Sequence, residues 1–426
     1  MKSILHLSIY TFVGFFGAGI NFLLLPLLSH HLSPADYGIS AILSTYVAFI
    51  IPVVGLQASS LIGVEYFHLK DKKEFASLFS SIQLIPILPI LFLFTLFIAF
   101  YPSIATILEL PPHDKWLALS IFPISLLSIY YESALGFQII TKDSRFYAFF
   151  NISKVLIEVG LTILFVVWLN MGWKGRVMSW LIVTVLYALI SHLYFIRKQL
   201  ITRVIQWKYV RQGILFGMPL ILHAIGKIIV NQSDRIFIAK MVSIDEAGVY
   251  SIGYTIGTVI LIFATAFANM LSPNIMESLT NPTLTNKLKI VRLSYVGISI
   301  LILSVFGLML VTPFLFHFFI DPKYAGGVTY VFWVSVGYLF WGIYMIFVVY
   351  VFYYKKSSFL GWLALLNAIV NIGFNWILIP IYGGLGAAYA TAISFFVIMV
   401  LVIAYSSRLI SLPWFDFRRI IGRSKN

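Results

Sequence analysis

Apolar runs long enough to cross a lipid bilayer recur along this chain from its first residues almost to its last. A membrane-spanning α-helix needs about 20 predominantly apolar residues. Leu, Ile, Phe and Val fill these runs without the alternation that barrel strands require. We therefore predict an all-α integral membrane protein with about twelve transmembrane helices. The expected spans are 6–28, 38–62, 76–101, 116–140, 147–169, 177–196, 214–236, 248–272, 291–316, 328–352, 359–380 and 384–405.

The composition agrees with a hydrocarbon environment. Hydrophobic residues make up 61% of the 426 positions and charged residues only 10%, whereas a soluble domain carries about 25% charged residues. The first apolar run has no small-residue cleavage site after a short core, so we expect a retained helix rather than a signal peptide. The chain has no cysteine, which excludes disulfides and thiolate metal sites.

The distribution of Lys and Arg predicts the orientation of the helices. Most of the 29 basic residues lie near the N-terminus, in the C-terminal tail and in the connections after every second span, which all face one side. Cytoplasmic loops carry the excess of Lys and Arg, so we expect both termini in the cytoplasm. The net charge of +14 then reflects topology and contact with membrane lipid headgroups, and we expect no nucleic-acid partner.

The two halves of the sequence repeat. "HLSPADYGISAI" follows the first span and "MVSIDEAGVYSI" follows the seventh, so six helices separate the copies and both have the same orientation. This predicts two parallel six-helix lobes around a central cavity. We expect lobes over 1–199 and 214–406, a cytoplasmic linker over 200–213 and a basic cytoplasmic tail over 407–426. The matched pairs are Ser33 with Ser243, Asp36 with Glu246, Gly38 with Gly248 and, inside the spans, Asn21 with Asn231.

Four stretches resemble a known family of membrane proteins. "HLSPADYG" is similar to its first outer turn, and "GMPLILHAIGKIIVNQSDRIFIAKMVSIDEAGVYSIGY" to its seventh helix with the turn that follows. "FIDPKYAGG" resembles the outer turn before the tenth helix, and "NAIVNIGFNWILIPIYGGLGAAYATAIS" the family's most recognisable stretch. The family is that of the O-antigen and exopolysaccharide flippases, within the multidrug/oligosaccharidyl-lipid/polysaccharide exporter superfamily.

The resemblance implies a function, a location and partners. Such proteins move undecaprenyl-diphosphate-linked oligosaccharides from the inner to the outer leaflet of the bacterial cytoplasmic (inner) membrane by alternating access. A non-enzymatic transporter without a cofactor is therefore expected, with a polysaccharide polymerase and chain-length proteins as partners. One position departs from the pattern: many relatives have a basic residue where the second helix meets the cytoplasm, and this chain has Glu65.

The seventh predicted span carries the polar groups that lipid excludes most strongly. His223, Lys227, Asn231 and Asp234 have the spacing of one helix face. A charge at the bilayer centre costs about 2.5–3.5 kcal/mol on insertion scales, so this face should meet protein or water. We expect Lys227 and Arg235 to bind an anionic headgroup, Asp234 to be their partner or a proton site, and Asn231 and His223 to contact the glycan. In the alternative, Asp234 and Arg235 only fix the outer end of the helix.

The fourth and fifth predicted spans hold three further charges. Asn151, Lys154 and Glu158 lie on one helix face, and Lys154 and Glu158 have the spacing of an ion pair. Either the pair is merely neutral, or a bound diphosphate competes with Glu158 for Lys154 while Asn151 contacts the glycan. Glu132, late in the fourth span, is a candidate ion or proton carrier, because hydrocarbon disfavours a charged carboxyl group.

The eleventh predicted span has an amide on every turn of one face, at Asn367, Asn371 and Asn375. Side-chain amides bind sugar hydroxyls, which makes these residues candidate glycan contacts. They also join helices inside membranes, where each contact contributes about 0.6 kcal/mol on average. Both interpretations stay open at this point.

Two other functions fit a polytopic membrane protein. An ion-coupled exporter of drugs or small amphiphiles would use the same lobes, but cationic drugs favour acids without the basic partners found here. A polysaccharide polymerase or ligase usually needs a sizeable outer loop, and the longest expected outer loop, 102–115, is short. The sequence has no phosphate-binding loop with a following Lys-Ser/Thr and no His-Glu-x-x-His zinc motif. We therefore expect no metal site and an ion gradient as the energy source.

Overall fold

A computed structural model describes residues 2–111 and 113–416 of the chain. These residues form helices and connecting turns, with no β-strand among them, which confirms the all-α prediction. The predicted basic tail, 407–426, lies outside the described residues from position 417 on.

The described residues contain 12 helical segments long and apolar enough to cross a membrane, as predicted. Their ends differ from the expected ends by a few residues in most cases. The segments are Phe12–His31, Pro34–Gly55, Lys72–Ala99, Lys115–Ile140, Ser144–Trp168, Gly172–Arg197, Trp207–Met241, Ile244–Thr280, Leu284–Phe318, Gly327–Tyr353, Ser358–Tyr382 and Gly384–Leu409.

Several spans are built from more than one helix. A π-helical turn, Ile163–Trp168, ends the fifth span, and a 3₁₀ turn, Pro322–Tyr324, precedes the tenth. The α-helices are α1 (Lys2–His31), α2 (Pro34–Gly55), α3 (Ser60–His68), α4 (Lys72–Leu84), α5 (Ile87–Ala99), α6 (Tyr101–Leu108), α7 (Lys115–Ala118), α8 (Ile121–Ile140), α9 (Ser144–Thr162), α10 (Gly172–Arg197), α11 (Trp207–Met241), α12 (Ile244–Gly257), α13 (Val259–Thr280), α14 (Leu284–Phe318), α15 (Gly327–Tyr353), α16 (Ser357–Tyr382) and α17 (Gly384–Leu409).

The second span stops short of its predicted end. We expected a continuous helix over 38–62, but α2 ends at Gly55, and Leu56 and Gln57 have φ angles of 48° and 51°. A left-handed conformation is uncommon for residues with a side chain, so tertiary packing must hold it. Gly217 of α11 lies against this turn, and a Cβ atom there would overlap the carbonyl oxygen of Leu56. The close approach of α11 therefore accompanies the break.

The chain divides into two compact units. The first comprises Met1–Ile228 with Ser243–Gly248, and the second comprises Ile229–Val242 with Val249–Asn426. The divisions fall inside α11, just after α11, and inside α12. The lobe limits expected from the repeat, 1–199 and 214–406, stay a prediction.

Each unit has its own packed interior. In the first unit, aromatic rings form the core: the centroids of Phe79 and Phe195 are 4.8 Å apart, and Phe146 stacks on Tyr194 at 5.1 Å. In the second unit small residues allow close helix packing. A Cβ atom at Gly337 of α15 would lie 3.3 Å from the Cα atom of Ala392 in α17. Small residues at such contacts are the usual means of packing helices in lipid.

The segment before α11 belongs to the first unit and is held there by side chains of α4. Three serines of α4 hydrogen-bond to backbone groups of residues 200–206, the part of the predicted linker that precedes α11. These backbone groups have no partner in a helix, so the serines satisfy them. The bonds join Ser77 to Val204 (2.7 Å), Ser80 to Leu200 (3.1 Å) and Thr202 (2.9 Å), and Ser81 to Gln206 (3.0 Å).

The two repeated turns are capped alike. Ser33 and Asp36 form a reciprocal capping box at the start of α2. In the second turn the backbone N–H of Glu246 donates to the hydroxyl oxygen of Ser243 at 3.0 Å, at the start of α12. The matched serines of the two turns therefore have the same structural role.

The matched glycines lie at a contact between these two turns, within the first unit. A Cβ atom at Gly38 would overlap the carbonyl oxygen of Ile244, and one at Gly248 would overlap the carbonyl oxygen of Pro34. Pro34 and Ile244 occupy matched positions of the repeat, as the glycines do. The contact is therefore reciprocal, and each glycine leaves room for the backbone of the other turn.

We predict that Gly248→Ala destabilises the protein, because a backbone carbonyl group cannot rotate away as a side chain can. Overpacking of this kind costs about 1–3 kcal/mol. The midpoint of thermal unfolding in detergent should therefore fall. Gly160→Ala is the matched control, since a Cβ atom at Gly160 of α9 meets no atom within 4 Å. Equal midpoints for the two variants would contradict the contact.

Candidate functional site

Asp234 of α11 is fully buried and has two partners from the second unit. The hydroxyl group of Tyr250 in α12 donates a hydrogen bond to its Oδ2 atom. The Nη1 atom of Arg235 lies 3.7 Å from its Oδ1 atom, and the Asp234 side chain is 0% exposed. The structure therefore brings Asp234 and Arg235 together, as the sequence predicted.

Arg235 is held by two further contacts, and the groups that make them are joined to Tyr338. Its Nη1 atom donates to the carbonyl oxygen of Asn231 at 2.9 Å, and its guanidinium group lies 4.4 Å from the ring centroid of Tyr254. The hydroxyl oxygens of Tyr254 and Tyr338 are 2.6 Å apart, and the Tyr338 hydroxyl lies 3.4 Å from Asn231 Oδ1. Hydrogen bonds and a cation–π contact thus join α11, α12 and α15 around one ion pair.

The sequence analysis missed the three tyrosines of this cluster. Tyr250 and Tyr254 are four residues apart, which places them on one face of α12, and that spacing was available from the sequence. Tyr338 comes from α15, far along the chain, and only the fold brings it to the cluster.

Lys227 and His223 lie on the same helix as this cluster but belong to the first unit. Both side chains are exposed. The helix is continuous from Trp207 to Met241, so the predicted register of the polar residues along it is preserved. The surroundings of these polar residues differ along the helix, because Lys227 is exposed and Asp234 is fully buried.

Lys154 and Glu158 form the expected ion pair on α9. The Lys154 Nζ atom lies 2.9 Å from Glu158 Oε2, with the two side chains 16% and 34% exposed. The ammonium group also lies 5.2 Å from the ring centroid of Tyr131 in α8. Asn151, one turn before Lys154, is half-buried on the same helix.

Glu132 lines a cavity of about 250 Å³ in the first unit. Ser59 and Ser133 line the same cavity, and their hydroxyl oxygens are 3.3 Å apart. The Lys154 ammonium group acts electrostatically on the Glu132 carboxyl group. Lys154 thus forms an ion pair with Glu158, as the sequence predicted, and its charge also reaches the Glu132 carboxyl group.

The three amides of the eleventh span lie inside the protein. Asn367 is 6% exposed, and Asn371 and Asn375 are 0% exposed. The Nδ2 atom of Asn375 donates to Asn371 Oδ1 at 3.1 Å. Their two predicted roles, glycan contact and helix joining, stay predictions.

One further sequence observation, the acid at position 65, has a structural counterpart. Glu65, at the position where many similar proteins have a base, accepts a hydrogen bond of 3.0 Å from the Gln212 amide. Within residues 2–111 and 113–416, no group of three or more His, Cys, Asp and Glu side chains is placed to hold a metal ion.

Comparison with known proteins shows a family and a fold. The family described as "Polysaccharide biosynthesis protein" matches residues 6–279. A protein named "Uncharacterized membrane protein" from Haemophilus influenzae (strain ATCC 51907 / DSM 11121 / KW20 / Rd) is 26% identical over 382 residues, which are 88% of this chain and 89% of the relative.

Two solved structures resemble the whole chain. The lipid II flippase MurJ in an inward closed conformation has a TM-score of 0.76 and 19% identity, over 98% of this chain and 90% of that one. An inward-facing multidrug resistance MATE family transporter of the MOP superfamily has a TM-score of 0.65 and 15% identity, over 96% and 98%. These likenesses show the fold, which confirms the predicted fold class.

We predict that Asp234→Asn strongly destabilises the protein, because it leaves the Arg235 guanidinium group buried without its carboxylate. Breaking a buried ion pair costs about 3–5 kcal/mol. Asp114→Asn is the matched control, since Asp114 pairs with Lys174 at 2.7 Å where the side chains are 29% and 44% exposed. Exposed pairs contribute about 0–1 kcal/mol. Thermal unfolding in detergent measures both variants, and similar midpoints would mean that the Asp234–Arg235 pair does not hold the cluster.

Proposed function

This chain belongs to the polysaccharide biosynthesis protein family, and from that premise we propose that it is a flippase for undecaprenyl-diphosphate-linked oligosaccharide. It would carry an O-antigen or exopolysaccharide repeat unit from the inner to the outer leaflet of the bacterial cytoplasmic membrane. The fold it shares with the lipid II flippase MurJ supports this proposal. Both termini would lie in the cytoplasm, as the excess of Lys and Arg on one side suggests.

One observation carries the proposal: Lys227 has an exposed side chain near the middle of a helix long enough to span the membrane. A cation facing hydrocarbon at that depth would cost about 2.5–3.5 kcal/mol on insertion scales. Lys227 would therefore face polar groups of the protein, water or an anionic ligand rather than hydrocarbon. A diphosphate is the part of the lipid-linked glycan that supplies the opposite charge.

Lys154 and Arg235 are the other candidate cations for the headgroup. Each already has a carboxylate partner, Glu158 for Lys154 and Asp234 for Arg235. A diphosphate would compete with these carboxylates for the cations. The competition is easier at Lys154, because the Glu158 side chain is 34% exposed and Asp234 is 0% exposed.

This competition suggests how transport is coupled to an ion gradient. When the diphosphate takes Lys154, the carboxyl groups of Glu158 and Glu132 lose a shared counter-ion. A proton or a metal cation would replace it, and would be released again when the headgroup leaves. Asp234 would have the same role beside Arg235. Loading and release of the substrate are then linked to the cation.

The sugars would meet polar side chains along the same helices. Asn231, His223 and Asn151 are exposed or half-buried and can hydrogen-bond hydroxyl groups. Asn367, Asn371 and Asn375 would reach a sugar only after a local opening, since all three are buried.

Alternating access would move the two predicted six-helix lobes, 1–199 and 214–406, relative to one another through the linker, 200–213. A polysaccharide polymerase and chain-length proteins are the proposed protein partners, because they act on the same lipid-linked product.

Export of drugs or small amphiphiles is the second candidate function. The likeness to a multidrug resistance MATE transporter favours it, and the mixture of basic and acidic groups at Lys154 and Arg235 opposes it.

We predict that Lys227→Ala lowers the rate of flipping by about tenfold or more, because losing one partner of a desolvated charge pair costs about 2–5 kcal/mol. Lys227→Arg should retain part of the activity. The measurement follows the appearance of lipid-linked glycan in the outer leaflet at equal membrane abundance.

Lys240→Ala is the control for Lys227, since Lys240 is exposed at the last turn of the same helix and should not affect flipping. A wild-type rate for Lys227→Ala would remove Lys227 from the headgroup site.

We also predict that the double variant Glu132→Gln, Glu158→Gln flips at a rate that no longer depends on the ion gradient. Both carboxyl groups must be replaced, because Lys154 interacts with each of them. Flipping is measured in membranes with the gradient intact and collapsed. Glu74→Gln, at the exposed start of α4, should keep the wild-type dependence on the gradient. An unchanged dependence in the double variant would exclude these residues as the coupling site.

A further inference from the structure

The first unit contains a second polar cavity, which borders the proposed headgroup site at Glu158. It has a volume of about 290 Å³ and lies between α1, α2, α9 and α10. Ligand pockets usually measure about 300–1,000 Å³, so this one suits a single sugar ring or a phosphate group rather than a whole repeat unit. Its polar lining includes Asn21, Ser40, Glu158, Arg176 and Trp180.

Arg176 is the unusual member of this lining. Its guanidinium group lies 5.0 Å from the ring centroid of Tyr37. Its Nη1 atom is shielded from solvent and has no hydrogen-bond acceptor, and no carboxylate in the described part of the chain forms a salt bridge with it. A guanidinium group keeps its charge and its donors at any physiological pH. It therefore has bonding capacity left for a ligand.

A second buried donor lines the same cavity. The hydroxyl oxygen of Ser40 in α2 is shielded from solvent and also has no partner. Buried polar groups in native proteins are nearly always hydrogen-bonded. Two such groups at one cavity point to a ligand that accepts hydrogen bonds.

The acid among the described residues that line the cavity is Glu158, and Lys154 neutralises it at 2.9 Å. The charge of Arg176 has no such compensation. The nearby cation Lys174, by contrast, is paired with Asp114 at 2.7 Å. An oxyanion would therefore restore neutrality, and the planar fork of an arginine suits a carboxylate or a phosphate.

Trp180 adds an apolar surface beside this cation. It lies one helical turn after Arg176 in α10 and lines the same cavity. A tryptophan ring combines a broad apolar face with one polar edge. An anionic group on a sugar ring fits such a pair, since the ring covers the indole and the charged group meets the guanidinium.

We propose that this cavity is an oxyanion site that binds one anionic unit of the substrate, with Arg176 as its anchor. The inference rests on the proposed function and extends it to a residue outside the three cations assigned to the headgroup. The oxyanion is either the carboxylate of an acidic sugar or a phosphate of the lipid headgroup. Both have the same hydrogen-bonding chemistry, so the experiment separates them.

Binding is measured on the purified full-length protein in detergent, without any transport step. Saturation-transfer NMR follows glucuronate, with glucose as the neutral control, and phosphorus NMR follows inorganic pyrophosphate. We expect at least one of the two anions to bind the wild-type protein. Arg176→Gln should weaken that binding by about tenfold or more, because hydrogen bonds to charged groups contribute about 1.5–3 kcal/mol.

Three other variants make the result specific. Lys174→Gln removes a neighbouring cation of α10 that does not line the cavity, and should leave binding unchanged. Ser40→Ala removes the second donor with little change of volume, and should weaken binding by a smaller factor. Arg176→Lys keeps the charge without the fork and should fall between wild type and Arg176→Gln. If Arg176→Gln fails to fold, these variants carry the test.

The outcomes separate the possibilities. Arg176-dependent binding of glucuronate alone identifies an acidic sugar as the ligand, and that of pyrophosphate alone identifies the headgroup. Binding of neither anion, or binding that the Arg176 and Ser40 variants leave unchanged, overturns the proposal. Arg176-dependent binding in a protein that does not flip lipid-linked glycan would overturn the proposed function instead. If the protein flips lipid-linked glycan but its anion binding is the same in wild type and in the Arg176 variants, this inference alone is overturned.

Discussion

An ionisable side chain inside a membrane protein must find its partner within the protein or its cavities, because lipid offers none. The described charges of the spans follow this constraint. Asp234 forms an ion pair with Arg235 and accepts a hydrogen bond from Tyr250, and Lys154 lies against Glu158 and the ring of Tyr131. The cations most open to an added anion are those whose partners are exposed or absent. For this reason we propose that Lys154 and Arg176, together with Lys227, meet the substrate's charge more readily than Arg235 does.

Local features of the fold could be predicted from the sequence. The spans follow from the length of the apolar runs, and the Lys154–Glu158 pair follows from spacing on one helix. The serine caps at Ser33 and Ser243 belong to the same class, since a cap involves residues three positions apart. Such features depend on neighbours in sequence, so a single chain without relatives is enough to find them.

Features that depend on tertiary contacts could not be predicted. The break after Gly55 is held where Gly217 of another helix approaches, and the left-handed residues that form it, Leu56 and Gln57, are not types that favour this conformation. Tyr338 joins the Asp234 cluster from α15. In the sequence Arg176 lies directly before the sixth predicted span, 177–196, and only the structure shows that one of its nitrogen atoms is buried. A larger part of the candidate site than of the fold therefore depends on tertiary contacts, which the sequence alone does not reveal.

The hydrogen bonds from the serines of α4 to residues 200–206 change how this connection should be regarded. A surface connection between helical units normally tolerates added or deleted residues, since loop closure depends only weakly on length. Here the backbone groups of residues 200–206 are held in position by hydrogen bonds to Ser77, Ser80 and Ser81. Inserting one residue would shift every later group out of register. Residues 200–206, which look dispensable in the sequence, thus form a connection of fixed length. We expect this length to be under tighter selection than the residue types within it.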